Sequence, residues 1–302
     1  RRLADTLTLT VGGRYNYTTI ELRDRSGVRP ELNGDHSFSR FNPSLGLTYR
    51  VSKGNNVFLN YSESSRVPTP IELSCNESVF QQAQNTAVER GDDPSDVQLE
   101  CRLPNAFLAD PPLKEVIARS FEVGIRTGFN GGDQRVGYFR TVNKDDIIFQ
   151  ATGRTTGLFA NVDQTKHEGI EASLSNEFGK FDMVTAYTYI VASYEADFLA
   201  TSPEHPLANG NGEISVNKGD RIPGVPRHQF KFNLTYSSLR NIRMGGEMIY
   251  NSSRVLRGDE SNQLGDVDGY VIFNLRTNYT HNRRFEFFIR VTNLLDKDYE
   301  NF

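Results

Sequence analysis

Between Val267 and Phe302 the chain alternates apolar and polar residues with a period of two. Val271, Phe273, Leu275 and Tyr279 share one parity, and Asn274, Arg276 and Asn278 the other. After a polar turn, Phe285, Phe287, Ile289 and Val291 alternate with Glu286 and Arg290. Successive side chains of a strand point to opposite faces, so this stretch predicts a hairpin with one apolar and one charged face. The same period recurs upstream. It appears in Leu7-Leu9-Val11-Tyr15, Leu45-Leu47-Tyr49-Val51, Val57-Leu59-Tyr61 and Phe121-Val123-Ile125-Phe129. It returns in Ile170-Ala172-Leu174, around Tyr187 and Tyr189, in Phe230-Phe232-Leu234-Tyr236, and in Ile242-Met244-Met248-Tyr250. Only the stretch from Arg135 to Phe149 blurs it. About eleven strands are predicted, and helix signals are scarce.

The connections sort themselves. Short turns near 52–56, 130–133, 178–180, 237–241 and 280–284 alternate with longer polar stretches near 21–37, 62–115, 199–226 and 255–267, with a weaker member at 150–160. All short connections then lie at one rim of an up-and-down sheet, the asymmetry of a membrane barrel. A Greek-key sandwich has no reason to sort its loops this way. In a soluble protein the apolar faces would point inward; in a membrane barrel they face lipid. Arg14, Glu122, Arg126, Glu171, Arg243, Glu247, Arg276, Glu286 and Arg290 would then line a wet lumen, with charges of opposite sign pairing across strands. Strands of about ten to fifteen residues, longer than is usual in globular sheets, favour the membrane.

Composition narrows the picture. The 302 residues carry a net charge of -4, 13 Tyr and 20 Phe but no Trp. The absence of a basic stripe argues against nucleic acid. No apolar run is long enough for a membrane helix, which leaves a barrel open because each barrel span needs only about ten residues, half of them polar. The start, Arg1-Arg2-Leu3-Ala4-Asp5, lacks a signal-peptide core, as expected of a mature protein or a fragment. The two cysteines, Cys75 and Cys101, fall in one irregular stretch. A disulfide between them would tether a long outer loop, with a saving in loop-closure entropy of about 3–4 kcal/mol, and would imply an oxidising compartment. Two free thiols are the alternative. A zinc site is disfavoured, since neither a second pair nor a nearby His completes four ligands.

Several segments resemble a known family. Val291-Thr292-Asn293-Leu294-Leu295-Asp296-Lys297-Asp298-Tyr299 is similar to the Asn-Leu-hydrophobic-Asp-Lys-x-Tyr element in the penultimate strand of TonB-dependent outer-membrane receptors. Arg66-Val67-Pro68 through Glu72-Leu73 resembles that family's rim segment, and Ser120–Gly124 and His167–Glu171 resemble two of its strand motifs. The resemblance covers nearly the whole chain. It implies an all-β, transmembrane antiparallel up-and-down barrel of twenty-two strands, of which this chain (residues 1–302) holds part of the C-terminal half. The plug domain, the TonB box and a final strand are expected to lie outside it. The implied function is uptake of a scarce ligand, most often a ferric siderophore or a similar metal chelate, across the outer membrane of a Gram-negative bacterium. The implied partners are the TonB–ExbB–ExbD complex, the lipid bilayer and the chelate. A passive porin-type channel or a barrel adhesin without a plug is the alternative.

No catalytic constellation stands out, and neither a cofactor nor a resident metal is expected. His36, His167, His205, His228 and His281 are scattered, and no nucleophile elbow or His-Glu-x-x-His helix occurs. Asp266-Val267-Asp268-Gly269 lacks the downstream Glu of a calcium loop, and it reads as solvated loop, as do Asp92-Asp93 and Asp145-Asp146. In such a receptor, ligand contacts come from the outer loops and the upper lumen wall, where Arg and aromatic side chains suit anionic, ring-bearing chelates. The candidates on that basis are Arg154, Phe159, Tyr194, Arg254 and Arg257. Arg66 and Glu72 are expected to serve the rim.

Overall fold

The computed structural model describes residues 2–4, 6–23, 25, 33–74, 77–94, 97, 113–151, 157–239, 241–281 and 283–300. The strands are β1 (Arg2–Ala4), β2 (Leu7–Leu22), β3 (Gly34–Ser52), β4 (Asn55–Arg66), β5 (Val116–Phe129), β6 (Gly132–Ala151) and β7 (Gly157–Phe178). They continue with β8 (Phe181–Tyr194), β9 (Phe198–Thr201), β10 (Glu213–Val216), β11 (His228–Leu239), β12 (Ile242–Asn251), β13 (Tyr270–Thr280) and β14 (Glu286–Val291). Two helices, α1 (Pro70–Ser74) and α2 (Glu77–Arg90), lie between β4 and β5. Twelve strands form one open antiparallel sheet in chain order, while β9 and β10 make a separate ribbon inside a loop.

The register carries the apolar parity unbroken across the sheet. Val11 pairs with Leu45, Leu45 with Tyr61, Tyr61 with Phe121, Val123 with Tyr138, Tyr138 with Ile170 and Ile170 with Tyr189. A slip of one residue anywhere would turn a whole strand inside out, so the pattern itself fixes the register. Most of these side chains are exposed, Val11 at 71% and Ile170 at 45%, and the rest are half-buried, as a face toward lipid requires. Among the described residues, no helix is long and apolar enough to cross a membrane.

Aromatic girdles bound the apolar band. Near the short turns Phe178 stacks on Phe181, Phe181 packs at 4.9 Å on Tyr236, and Tyr279 stacks on Phe287. Toward the other rim lie Tyr61, Phe121, Tyr138 and Tyr189. From Phe121 to Phe129 the strand rises about 26 Å at about 3.3 Å per residue. With a strand tilt of about 40° that spans about 20 Å, close to the band of a bilayer barrel.

Four expectations need correction. The stretch 62–115, read as irregular, contains α1 and α2. The first is closed by a capping box: Thr69 N–H donates to Glu72 Oε2 at 2.7 Å and Glu72 N–H to Thr69 Oγ1 at 3.3 Å, with Pro70 opening the helix. The connections at 21–37 and 150–160 are shorter than read, because β2, β3, β6 and β7 continue past the apolar band; strands standing in water need no apolar face. The loop at 198–226 holds the β9–β10 ribbon. Asp145-Asp146 is not solvated loop but part of β6. Asp145 is buried at a φ of 52°, and its position drops out of the ladder between Lys144↔Gln164 and Asp146↔Val162 with no change of register. Asp146 Oδ2 accepts from Thr165 Oγ1 and Asn143 Nδ2.

Candidate functional site: lumen wall and outer loops

The face opposite the apolar one is polar and internally bonded. On β4–β6, Phe58 is 2% exposed and lies against Gly124, where a Cβ would come within 2.6 Å of its ring. Arg126 stacks over that ring at 4.4 Å and Arg135 at 5.2 Å. Arg135 also donates to Glu122, which accepts from Asn60 Nδ2 at 3.3 Å. The glycine lets an aromatic ring lie flat on the wall, and the ring gives two guanidiniums a surface to stack on. Further round the sheet, Asn274 donates to Glu247 at 2.7 Å, Arg276 to Thr235 at 3.1 Å and Asn278 to Glu286 at 3.0 Å. Beside these pairs the inner face of β8 and β11–β14 holds a polar concavity of about 850 Å³ lined by Asp182, Asn233, Arg243 and Arg276 among others.

At the long-connection rim, two loops form one folded unit. The β9–β10 ribbon buries Ala200, Ile214 and Val216 against Val162 and Tyr194, with Ile148, Phe198, Ala208 and Ile222 around them. The following loop is tied to the loop between β12 and β13. Arg221 grips Asp266 with both terminal nitrogens, at 2.7 and 3.2 Å. Asn262 caps the backbone of Arg221 in both directions. His205 Nε2 bonds Asp259 Oδ1 at 3.2 Å, and Ser202 Oγ donates to the Gly258 carbonyl. The Arg221 guanidinium holds the Asp266 carboxyl below its ordinary range. Burial pushes Glu260 up, and the adjacent Asp259 adds to that rise.

The five candidate ligand residues are not gathered in one place. Tyr194 is 2% exposed inside the ribbon core, edge-on to Phe198 at 5.1 Å. Arg254 is buried; it donates to the Glu300 carbonyl, sits over the Tyr270 ring and bridges to Val267. Phe159 faces Phe149 across the β6–β7 pair at 5.3 Å. Arg257 is exposed beside Gly224, whose φ of 79° and open side make room for the guanidinium. Arg154, Cys75 and Cys101 lie outside the described residues. Arg66 does serve the rim, gripping Glu72 at 2.7 and 3.0 Å. Sequence reading missed Phe58 and Arg135, as well as the His205–Asp259 pair. Asp266, taken as solvated, is held by Arg221.

The Asn293–Tyr299 element has a local explanation. Asn293 stands at a φ of 51°, which Asn tolerates better than most residues. Its Oδ1 accepts from Lys297 N–H and its Nδ2 donates to the Lys297 carbonyl, both at 3.0 Å. The turn so closed delivers Tyr299 onto Tyr270, with ring centroids 4.5 Å apart.

An apolar outer face, a bonded polar inner face and folded long loops at one rim define part of the wall of a transmembrane β-barrel. The family model described as TonB dependent receptor-like, beta-barrel matches residues 2–294, and the chain belongs to that family. The chain is 24% identical over 258 residues to the probable TonB-dependent siderophore receptor PiuA of Acinetobacter baumannii, covering 84% of this chain and 30% of the relative. It is 21% identical over 259 residues to the catecholate siderophore receptor Fiu of Escherichia coli K12, covering 85% and 29%. The chain therefore spans less than a third of these relatives' length. Among solved structures, the copper transporter OprC superposes with a TM-score of 0.69 at 16% identity, over 99% of this chain and 40% of that one. The siderophore receptor PiuA of Acinetobacter baumannii gives 0.65 at 19%, over 98% and 38%. These likenesses fix the fold.

Proposed function

We propose that the protein containing this chain is an outer-membrane receptor for a ferric siderophore or a similar metal chelate, driven by the TonB–ExbB–ExbD complex. The observation that carries this reading is the family match over residues 2–294, together with relatives named as siderophore receptors. In this reading a plug domain, encoded outside the chain, fills the barrel against the polar inner wall and the concavity at Arg243 and Arg276. The outer loops meet the ligand first. Exposed Arg257 and the Phe149–Phe159 pair offer a cation and aromatic faces to an anionic chelate, and Arg154 belongs to the adjoining connection. Tyr194 and Arg254 hold these loops in shape from within. A gene deletion tested for growth on a panel of iron sources, haem, cobalamin and oligosaccharides decides the question. Loss of growth on one class of ferric chelate is expected. Unimpaired growth on all of them, with free diffusion of small solutes through the purified protein, would instead mark a passive channel.

A further inference from the structure

Just beyond the upper aromatic girdle, the lipid-facing side of the sheet carries charge. The parity of Phe121, Val123 and Ile125 continues to Arg119 on β5, and that of Val136 and Tyr138 continues to Arg140 on β6. Arg119 lies opposite Val142 and Arg140 opposite Phe121, so the two arginines are diagonal neighbours on the outward face, about 7–8 Å apart at the backbone. The nearby carboxylates are already engaged. Glu63 accepts from Tyr61 and Arg40, both at 2.7 Å, and Lys166 holds Glu168 at 2.9 Å, with Tyr138 at 3.4 Å. Arg119 and Arg140 approach these acids most closely through Nε, at 3.4 and 3.9 Å. Their terminal amino groups make no hydrogen bond among the described residues, and both side chains are more than half exposed.

We propose that Arg119 and Arg140 form a binding site for the phosphate of an anionic lipid headgroup in the outer leaflet. The girdle tyrosines set the level. Tyr61 and Tyr138 place their rings in the apolar band and their hydroxyls on Glu63 and Glu168, so the row above them stands where headgroups lie. Two guanidiniums with free forks, facing outward at that depth, match the geometry of a phosphate monoester. The carboxylates keep both arginines extended without occupying those forks. The inference is independent of the transported ligand.

The test uses the full-length receptor in maltoside detergent, with lipid retention read by native mass spectrometry. Wild-type protein should retain phosphatidic acid in preference to phosphatidylcholine. The Arg119→Gln/Arg140→Gln protein should lose that retention about thirtyfold, the sum of two such contacts, while Arg243→Gln on the inner wall leaves it unchanged. Glu168→Gln, which removes a negative charge beside the site and keeps the forks free, should raise it. Equal retention of the two lipids by wild type would overturn the proposal, as would unchanged retention in the double variant or an equal loss in Arg243→Gln. Should the double variant fail to show the heat-modifiable gel mobility of a folded barrel, Glu168→Gln decides, and no rise in retention counts against the site.

Discussion

His205 and Asp259 meet in the interior of the outer loops, with side chains only 1% and 0% exposed. The Nδ1 of His205 accepts the Leu207 N–H at 3.1 Å, so its proton sits on Nε2 and points at Asp259 Oδ1. That carboxylate also accepts from Ser261 Oγ and the backbone of Gln263 and Leu264. One neutral imidazole and one fully satisfied carboxylate thus join two loops more than fifty residues apart in sequence.

Asp259→Ala should unlock this unit without unfolding the barrel. It leaves a buried imidazole N–H, the Ser261 hydroxyl and two backbone donors without their acceptor, at about 1.5–3 kcal/mol for each bond to the charged group. Hydrogen exchange across residues 198–216 and 254–267 should accelerate about a hundredfold, while the amides of β5–β7 keep their protection. Uniform acceleration throughout the sheet would contradict the local role.

Two carboxyls in these loops titrate in opposite senses. The carboxyl of Asp266 is held low by Arg221, so its ion pair contributes above the ordinary aspartate range and is lost as the pH falls through its depressed value, below about pH 4. Glu260 is raised by burial, so its charged form opposes folding above its raised value, and that opposition is relieved as the pH falls through it. Protection factors of the 254–267 amides should therefore rise slightly as the pH falls through the raised range of Glu260 and drop once it falls below the ordinary aspartate range, about pH 4. Asp266→Asn should abolish the second change and keep the first.

Gly124→Val should disrupt the inner wall. A Cβ there would meet the Val136 carbonyl at 2.5 Å and the Phe58 ring at 2.6 Å. Phe58→Ala alone should cost about 3 kcal/mol through the cavity it leaves. The two sites are in contact, so the double substitution should cost less than the sum. Denaturant unfolding of the full-length protein in detergent measures all three, and strict additivity would speak against the packing described.

Asn293→Ala should loosen the turn that seats Tyr299 on Tyr270, at about 1–2 kcal/mol for two side-chain bonds and a left-handed residue. Asn293→Gly relieves the backbone but not the lost bonds, so it should fall between Asn and Ala in thermal stability. Equal stability of all three would show that the turn needs no clamp.

Much of the sheet was legible because lipid-facing parity is a periodic signal. Phe121, Val123 and Ile125 announce their face on their own, and Glu122 and Arg126 announce the opposite one. What stayed hidden depends on partners distant in sequence. Phe58 sits between Val57 and Leu59 in an apolar run; their parity puts it on the wet side, and only Gly124 on the neighbouring strand shows how a ring is seated there. Tyr194 looks like an aromatic at a strand end until β9 and β10 fold over it. The α1 helix is a different case: Thr69-Pro70-Ile71-Glu72 is a local capping signal, readable without any partner. Past the girdles, β6 and β7 leave the lipid, and Ile148 and Val162 pack against the ribbon instead, so no lipid-facing periodicity marked their length.

The odd residues of β5 and the even residues of the first half of β6 face lipid while their neighbours face the lumen. Nitroxide labels at 122, 123, 125, 126, 135, 136 and 138 of the full-length protein in bilayers test it directly. High oxygen and low nickel-chelate accessibility is predicted at 123, 125, 136 and 138, with weaker oxygen access at 122, 126 and 135. The reverse alternation, or none, would contradict the account.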